Sequence, residues 1–349
     1  MDVIDFRSDT ATLPSPEMRE AMATAELGDD VSGEDPTANL LEKMAAELLG
    51  KEDALFVSSG TMGNLVAALS QCQFGDEIII GHNSHIYVAE AGGISTLGGI
   101  SYKPVRVDER GMLDTTEIED AIHPDDMHYA PTSMVAIENT NNPSGGTVLT
   151  PEDTKSIADV TQAHGISLHI DGARIFNAAV YLETPVKELV KHADTVSFCL
   201  SKGLACPAGS ILCGSAETIK EARKWRKMLG GGMRQVGVLA AAGVVALETM
   251  IERLAEDHSN ARKLALGLKN VPGITIEPDN LPTNLIFFGV NVSDQDGVVR
   301  KLERYGIKVG DRGPVWRLVT HYGISGDDID HALDVIREVF SEYAVRPTR

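Results

Sequence analysis

Lys202 lies in Ser201-Lys202-Gly203, directly after the apolar run 195–200; Asp171 closes another apolar run, 166–170, and opens Asp171-Gly172-Ala173-Arg174. A lysine at one strand end and an acid at a neighbouring strand end make the minimal kit for pyridoxal 5'-phosphate (PLP). The amine forms the imine, and the carboxylate holds the proton on the pyridine nitrogen. The flanks of Lys202, Phe198-Cys199-Leu200 and Gly203-Leu204-Ala205, are apolar and suit a nucleophilic amine. The commonplace alternatives are a solvated lysine and an acid that merely caps the next helix.

Ser59-Gly60-Thr61 follows an apolar stretch and precedes a helical one. Free N–H groups and the helix dipole at such a place suit a phosphate dianion, and glycine permits close approach. A plain strand-to-helix turn with an N-cap has the same pattern. The segment is neither a Walker loop nor G-x-G-x-x-G, so nucleotide binding is not indicated. His82 and His85 flank a turn after the run 77–80, and His128 ends Pro124-Asp-Asp-Met-His128. An imidazole can stack on a pyridine ring, move a proton near neutral pH, or simply be satisfied by local hydrogen bonds. Arg174 can reach a cofactor phenolate oxygen or a substrate carboxylate. Arg317, in Trp316-Arg317-Leu318, is an arginine inside an apolar strand. Its fork needs a partner, which a substrate carboxylate or a structural ion pair would supply. Gly230-Gly-Gly232-Met233-Arg234 follows a basic helix, 220–227. It reads as a loop reaching a neighbouring subunit's phosphate or as a flexible connector.

The elements that must position these groups alternate from residue 36 onwards. Asp35 and Pro36 look like an N-cap and N1 of a helix that Gly50 stops. Strands are expected at 54–57, 77–80, 102–107, 134–137, 166–170, 195–200 and 209–214, with helices over 62–71, after Asp114 (Glu117 in the capping-box position), and over 150–165. Alternation predicts an α/β fold with a mostly parallel, doubly wound sheet. In such sheets ligands gather beyond the carboxyl ends of the strands, where Ser59-Gly60-Thr61, Asn139, Asp171 and Lys202 all fall. One long helical stretch, 237–269, then leads to strands at 284–290 and 315–319 and helices at 294–305 and 327–343. The chain is read as an N-terminal arm and large domain, residues 1–250, and a small α+β C-terminal domain, 251–349.

Bulk properties narrow the partners. The 349 residues are 43% hydrophobic and 23% charged, ordinary globular values, and carry a net charge of −20. Nucleic acid and anionic membrane surfaces repel such a chain. Cys72, Cys199, Cys206 and Cys213 form no C-x-x-C pair, so reduced thiols are expected, with neither disulfide framework nor metal site. No apolar stretch has the length of a membrane span and the N-terminus has no leader pattern, so the cytoplasm is the expected location.

Several blocks together go beyond generic PLP logic. Asp5-Phe-Arg-Ser-Asp-Thr10, Gly28-Asp-Asp-Val, Gly33-Glu-Asp-Pro-Thr37, Glu90-Ala-Gly-Gly93, Asp171-Gly-Ala-Arg-Ile-Phe-Asn177, Leu200-Ser-Lys-Gly-Leu204, Gly232-Met-Arg-Gln235 and Arg317-Leu-Val-Thr-His321 span nearly the whole chain. In combination they resemble the PLP-dependent L-threonine aldolases, low-specificity and L-allo-threonine aldolases included. The resemblance implies an aspartate-aminotransferase-like PLP fold type I. It also implies a dimer or a dimer of dimers (a homotetramer), with sites at subunit interfaces.

The resemblance implies roles as well. Lys202 carries the cofactor; Asp171 pairs with the pyridinium nitrogen; Arg174 lies by the phenolate oxygen and the substrate carboxylate. His85 is similar to the ring-stacking histidine, and His128 to a second active-site histidine near the substrate hydroxyl. Ser59, Gly60 and Thr61 correspond to the phosphate cradle, with Lys227 and Arg234 contributed by the partner chain. Ser8 and Arg317 resemble the substrate carboxylate clamp. The implied reaction is retro-aldol cleavage of L-threonine or L-allo-threonine, β-hydroxy-α-amino acids, to glycine and acetaldehyde. A related β-eliminating lyase or racemase would keep Lys202 and Asp171 but release other products. Two positions depart from the pattern: Ser32 stands where the family commonly has tyrosine, and Asn141 where a histidine is common.

Overall fold

The computed structural model describes residues 3–310 and 313–344. Its strands are β1 (Ile4–Asp5), β2 (Asp53–Val57), β3 (Glu77–Gly81), β4 (Ser101–Val105), β5 (Thr132–Glu138), β6 (Ser167–Asp171), β7 (Thr195–Cys199), β8 (Ser210–Gly214), β9 (Ile274–Thr275), β10 (Leu285–Val290), β11 (Ile307–Lys308) and β12 (Val315–Val319). A 7-stranded sheet runs β2-β8-β7-β6-β5-β3-β4. β8 is antiparallel to β2 and β7, and the remaining pairs are parallel. Every residue of β3, β7 and β8 is buried. Both faces are therefore covered, which explains why these strands read as continuous apolar runs rather than alternating ones. The register sets Glu138 beside Asp171, and Asp171 beside Ser197.

Helix signals in the sequence correspond to real caps. The Asp35 carboxylate accepts from Ala38 N at 2.9 Å at the start of Pro36–Leu49, and Gly50 ends that helix in the left-handed region at φ 65°. Thr150 and Asp153 form a reciprocal capping box for Pro151–His164. Ser59 caps Gly60–Gln71 through Met62 N.

Two local expectations are corrected. Asp114 caps the short helix Thr115–Ala121 through Thr116 N at 2.8 Å, but Glu117 closes no capping box. Its carboxylate instead accepts from Arg106, at 3.1 Å from the backbone N and 2.8 Å from Nε. The stretch 237–269 is two helices, Gly237–Thr249 and Leu254–Leu268. The first buries its alanines in a core shared with Pro16–Thr24, Pro36–Leu49 and the large sheet; the second packs on Gly326–Tyr343 in another core. One straight rod cannot line both. At the break Arg253 pairs with Asp257 at 2.6 Å and stacks over Tyr322 at 5.0 Å.

The second core is built on the antiparallel sheet β12-β10-β9 and includes Ile4 and Phe6 from the chain start. β1 pairs in parallel with β11, Ile4 beside Ile307. This carries residues 7–12 across the carboxyl ends of the large sheet, where the Thr12 hydroxyl donates to the Lys202 carbonyl at 2.9 Å.

Candidate active site

Asp171 ends β6 at 3% exposure. One oxygen accepts from Ala173 N at 3.1 Å and the other from Asn64 Nδ2 at 2.9 Å. The same Asn64 nitrogen donates to Glu90 Oε1 at 2.9 Å, and that oxygen lies 2.8 Å from His85 Nδ1. A carboxylate only accepts, so Nδ1 carries the proton. The hydrogen bond to Glu90, with Asp171 nearby, raises the His85 pKa above its ordinary value against the opposing effect of burial. His85, Glu90 and Asp171 bring potential metal-ligand atoms within 4.8 Å of one another, but the Asn64 amide protons point at both carboxylates there and would repel a cation.

Glu138, one strand over, is a third buried acid beside Asp171 and Glu90. It accepts from His85 N and Asn142 N, both at 2.9 Å. Burial, then the neighbouring Asp171 charge, pushes its carboxyl up to about 7.

Lys202 follows β7 in a tight turn; its carbonyl accepts from Ala205 N at 2.8 Å. Among the described residues its amine has no hydrogen-bond or ion-pair partner. The residues around it fit PLP. A Cβ placed on Gly60 would stand 2.9 Å from Cys199 Sγ and 3.7 Å from Ser210 Oγ, a buried hydroxyl without a hydrogen-bond partner among the described residues. Only glycine fits at this helix N-terminus, with the exposed Ser59 and Thr61 on either side. Packing against Cys199 is thus a reason for Gly60 besides close approach of a ligand.

The arginines are organised by the chain start. Arg174 Nε and Nη2 donate to the two oxygens of Asp9 at 2.7 Å each, with 7% and 0% of the side chains exposed. Burial opposes the Asp9 charge, but the Arg174 guanidinium outweighs it, helped by Lys202 and His321, and holds the carboxyl well below the usual range. The fork edge of Arg174 is therefore engaged within the chain, and Nη1 is the nitrogen left for a ligand. Ser8 caps the turn Asp9–Ala11, its Oγ accepting from Thr10 N at 3.2 Å. Arg317 donates to Asn142 Oδ1 and to the Arg7 carbonyl, both at 3.2 Å. Ser8, Arg174 and Arg317 thus converge on residues 7–9.

Other candidates do not join this group within the chain. His128 lies in the loop before β5, exposed, its Nδ1 2.6 Å from Asp126 Oδ1. The 7 residues of β5 separate that amino-terminal end of the strand from Glu138, roughly 20 Å. Lys227 and Arg234 are both exposed, near the start of Gly60–Gln71, where Gly231 faces Met62; Arg234 pairs with Asp29 at 2.8 Å. Asn139 clips Leu149, donating to its carbonyl at 2.9 Å and accepting from its N at 3.2 Å. Reasoning from sequence missed Asp9, Asn64, Glu90 as a partner of His85, and Glu138. Asn64 had a signal: it is an amide in the otherwise apolar buried face of its helix. It also missed the buried pair of Arg226 with Asp30 at 2.6 Å, which staples the Gly28-Asp-Asp-Val block to the basic helix.

A beta-eliminating lyase family profile matches residues 5–291. Low-specificity L-threonine aldolase 1 of Arabidopsis thaliana is 49% identical over 290 residues, 82% of this chain and 81% of that protein. The low specificity L-threonine aldolase of Escherichia coli (strain K12) is 47% identical over 288 residues, 82% of this chain and 85% of that one. The chain belongs to the L-threonine aldolase family. Among solved structures, Leishmania major threonine aldolase superposes with a TM-score of 0.82 at 22% identity, covering 97% of this chain and 99% of that one. Sphingomonas wittichii serine palmitoyltransferase gives 0.76 at 16% identity, covering 97% and 88%. Both likenesses concern the fold, which is the aspartate-aminotransferase-like PLP fold type I. Of the two positions singled out from the sequence, Ser32 lies exposed in the turn Asp30–Ser32, and buried Asn141 caps its own loop, Oδ1 accepting from Ser144 N at 3.0 Å.

Proposed function

We propose that this chain is a PLP-dependent carbon–carbon lyase that cleaves L-threonine and L-allo-threonine to glycine and acetaldehyde. One observation carries the reading. In a chain 49% identical to a low-specificity L-threonine aldolase, a lysine whose amine has no hydrogen-bond or ion-pair partner among the described residues and a buried carboxylate stand at strand ends of the large sheet, and two arginines converge on residues 7–9, which cross there.

Lys202 would hold PLP, Asp171 the proton on its ring nitrogen, and Ser59, Gly60 and Thr61 its phosphate. When bound, PLP supplies a sink for the electron pair released as the Cα–Cβ bond breaks. Ser8, Arg174 and Arg317 would hold the substrate carboxylate and so fix the orientation of the substrate, and with it which bond at Cα breaks. Orientation of this kind is worth ~7–11 kcal/mol in favourable cases. His85 takes the β-hydroxyl proton, directly or through water, through Nε2, since Glu90 holds Nδ1. The hydroxyl oxygen becomes the aldehyde oxygen, and a proton returned to Cα gives glycine. His128 can share this work only from a partner chain, given its place beyond the amino end of β5, opposite the site.

The same reading has the chain assemble as a dimer or dimer of dimers in the cytoplasm, with Lys227 and Arg234 reaching a partner's phosphate site. It divides the chain near residue 250, which the two separate apolar cores support. Among the described residues no helix is long and apolar enough to cross a membrane. Purified protein with PLP and either threonine isomer should release acetaldehyde and glycine in equal amounts. Pyruvate or 2-oxobutyrate, or inversion at Cα without cleavage, would move the assignment to an eliminating lyase or a racemase.

A further inference from the structure

Asn64 uses every hydrogen-bonding position it has while only 2% exposed. Nδ2 donates to Asp171 Oδ2 and Glu90 Oε1, both at 2.9 Å, while Oδ1 accepts from Ser197 Oγ at 2.7 Å and faces His169 Nε2 at 3.1 Å. The orientation of the amide is forced, because the reverse would aim its oxygen at two carboxylates. His169 is held neutral, burial pushing it down to about 4, and its Nδ1 faces the Thr195 hydroxyl at 2.9 Å. Nε2–H therefore donates to Asn64 while Nδ1 accepts from Thr195, whose oxygen in turn accepts from Gln71 Nε2 at 2.9 Å. The amide is locked from behind by groups that touch no part of the substrate clamp.

On the reading that Asp171 serves PLP, we infer that Asn64 is a positioning residue that holds Asp171 toward the cofactor ring nitrogen and Glu90 toward His85, keeping two adjacent buried carboxylates in separate roles. Without its two N–H groups the acids would lose their shared donor at a site where Glu138 already crowds Asp171. One acid would then take up a proton, and a protonated Asp171 cannot keep the ring nitrogen charged.

The test uses the full-length protein, stripped of PLP and titrated with it, reading both affinity and the visible absorbance of the bound cofactor. Asn64→Leu should weaken PLP binding by at least about tenfold and displace the absorbance maximum, with kcat falling more than KM rises. Ser197→Ala, which removes one lock on the amide, should weaken binding about threefold in the same direction. A folded Asn64→Leu protein with the parent's maximum and affinity within about twofold would overturn the inference. Should that variant fail to fold, an unchanged Ser197→Ala protein overturns it instead. Failure of the parent to bind PLP would sink the underlying assignment, a distinct outcome.

Discussion

At the residue scale, the site is a set of charges held in place by partners that are far away in the chain. Lys202→Ala should abolish both turnover and the visible absorbance of bound PLP; a fully active variant would remove the lysine from the mechanism. Asp9→Asn should free the Arg174 fork, costing about 3–5 kcal/mol of stability and raising the KM for threonine more than it lowers kcat. Urea unfolding and steady-state kinetics check both parts. Glu138 supplies a pH signature. Its folded-state pKa is raised to about 7, so between the ordinary carboxylate value and that point the folded chain keeps a proton the unfolded chain has released. Stability must therefore fall as pH rises through this window. His85, also raised, acts with the same sign, while His169 and His258, both lowered to about 4, act oppositely as pH falls below the ordinary histidine value. Comparing the apoprotein with Glu138→Gln isolates the acid: the parent's melting temperature should drop relative to the variant's between about pH 5 and 8. Parallel curves would refute the assignment. Lys202 and Asp171 were legible because each is the charged side chain that closes a largely apolar run. Asp9 was not, because nothing local distinguishes a carboxylate that will be buried from one that will be solvated.

At the element scale, helix starts were readable and helix continuity was not. Caps such as Asp35 and Thr150 act on backbone N–H groups within three residues, so the pattern lies in the local sequence. The break at 250–253 depends on which core each half faces, and Glu117 left its expected cap for an arginine on β4's continuation. Gly60 joins two elements, the helix Gly60–Gln71 and β7, through its contact with Cys199. Gly60→Ala should displace the helix start and weaken PLP binding about tenfold, and adding Cys199→Ala should recover most of that loss by making room. Equal affinities for the single and double variants would show that the steric contact is not what limits the cradle.

At the scale of the whole molecule, the chain start crosses from the second core, where the Arg7 carbonyl accepts from Arg317 of β12, to Arg174 beside the large sheet, and the partner-chain roles proposed for Lys227 and Arg234 require assembly. Each variant alone, Lys202→Ala or Arg234→Ala, should be impaired, yet mixing and refolding them together should restore up to about a quarter of parental activity. In a mixed dimer, one of the two sites then takes both its lysine and its arginine from unmutated chains. No recovery in a verified mixed assembly would place Arg234 in its own chain's chemistry or outside it. By itself the sequence determined the alternation of strands and helices, the mostly parallel sheet, the strand-end lysine and aspartate, and the family, because apolar periodicity, caps and motif spacing are local properties of the chain. Only the tertiary structure decided that Asn64 would lie between Asp171 and Glu90, that Asp9 would occupy the Arg174 fork, and that His128 would stand beyond the amino end of β5, opposite Glu138. Those outcomes depend on distances between residues remote in sequence, which are set by strand order, register and core packing.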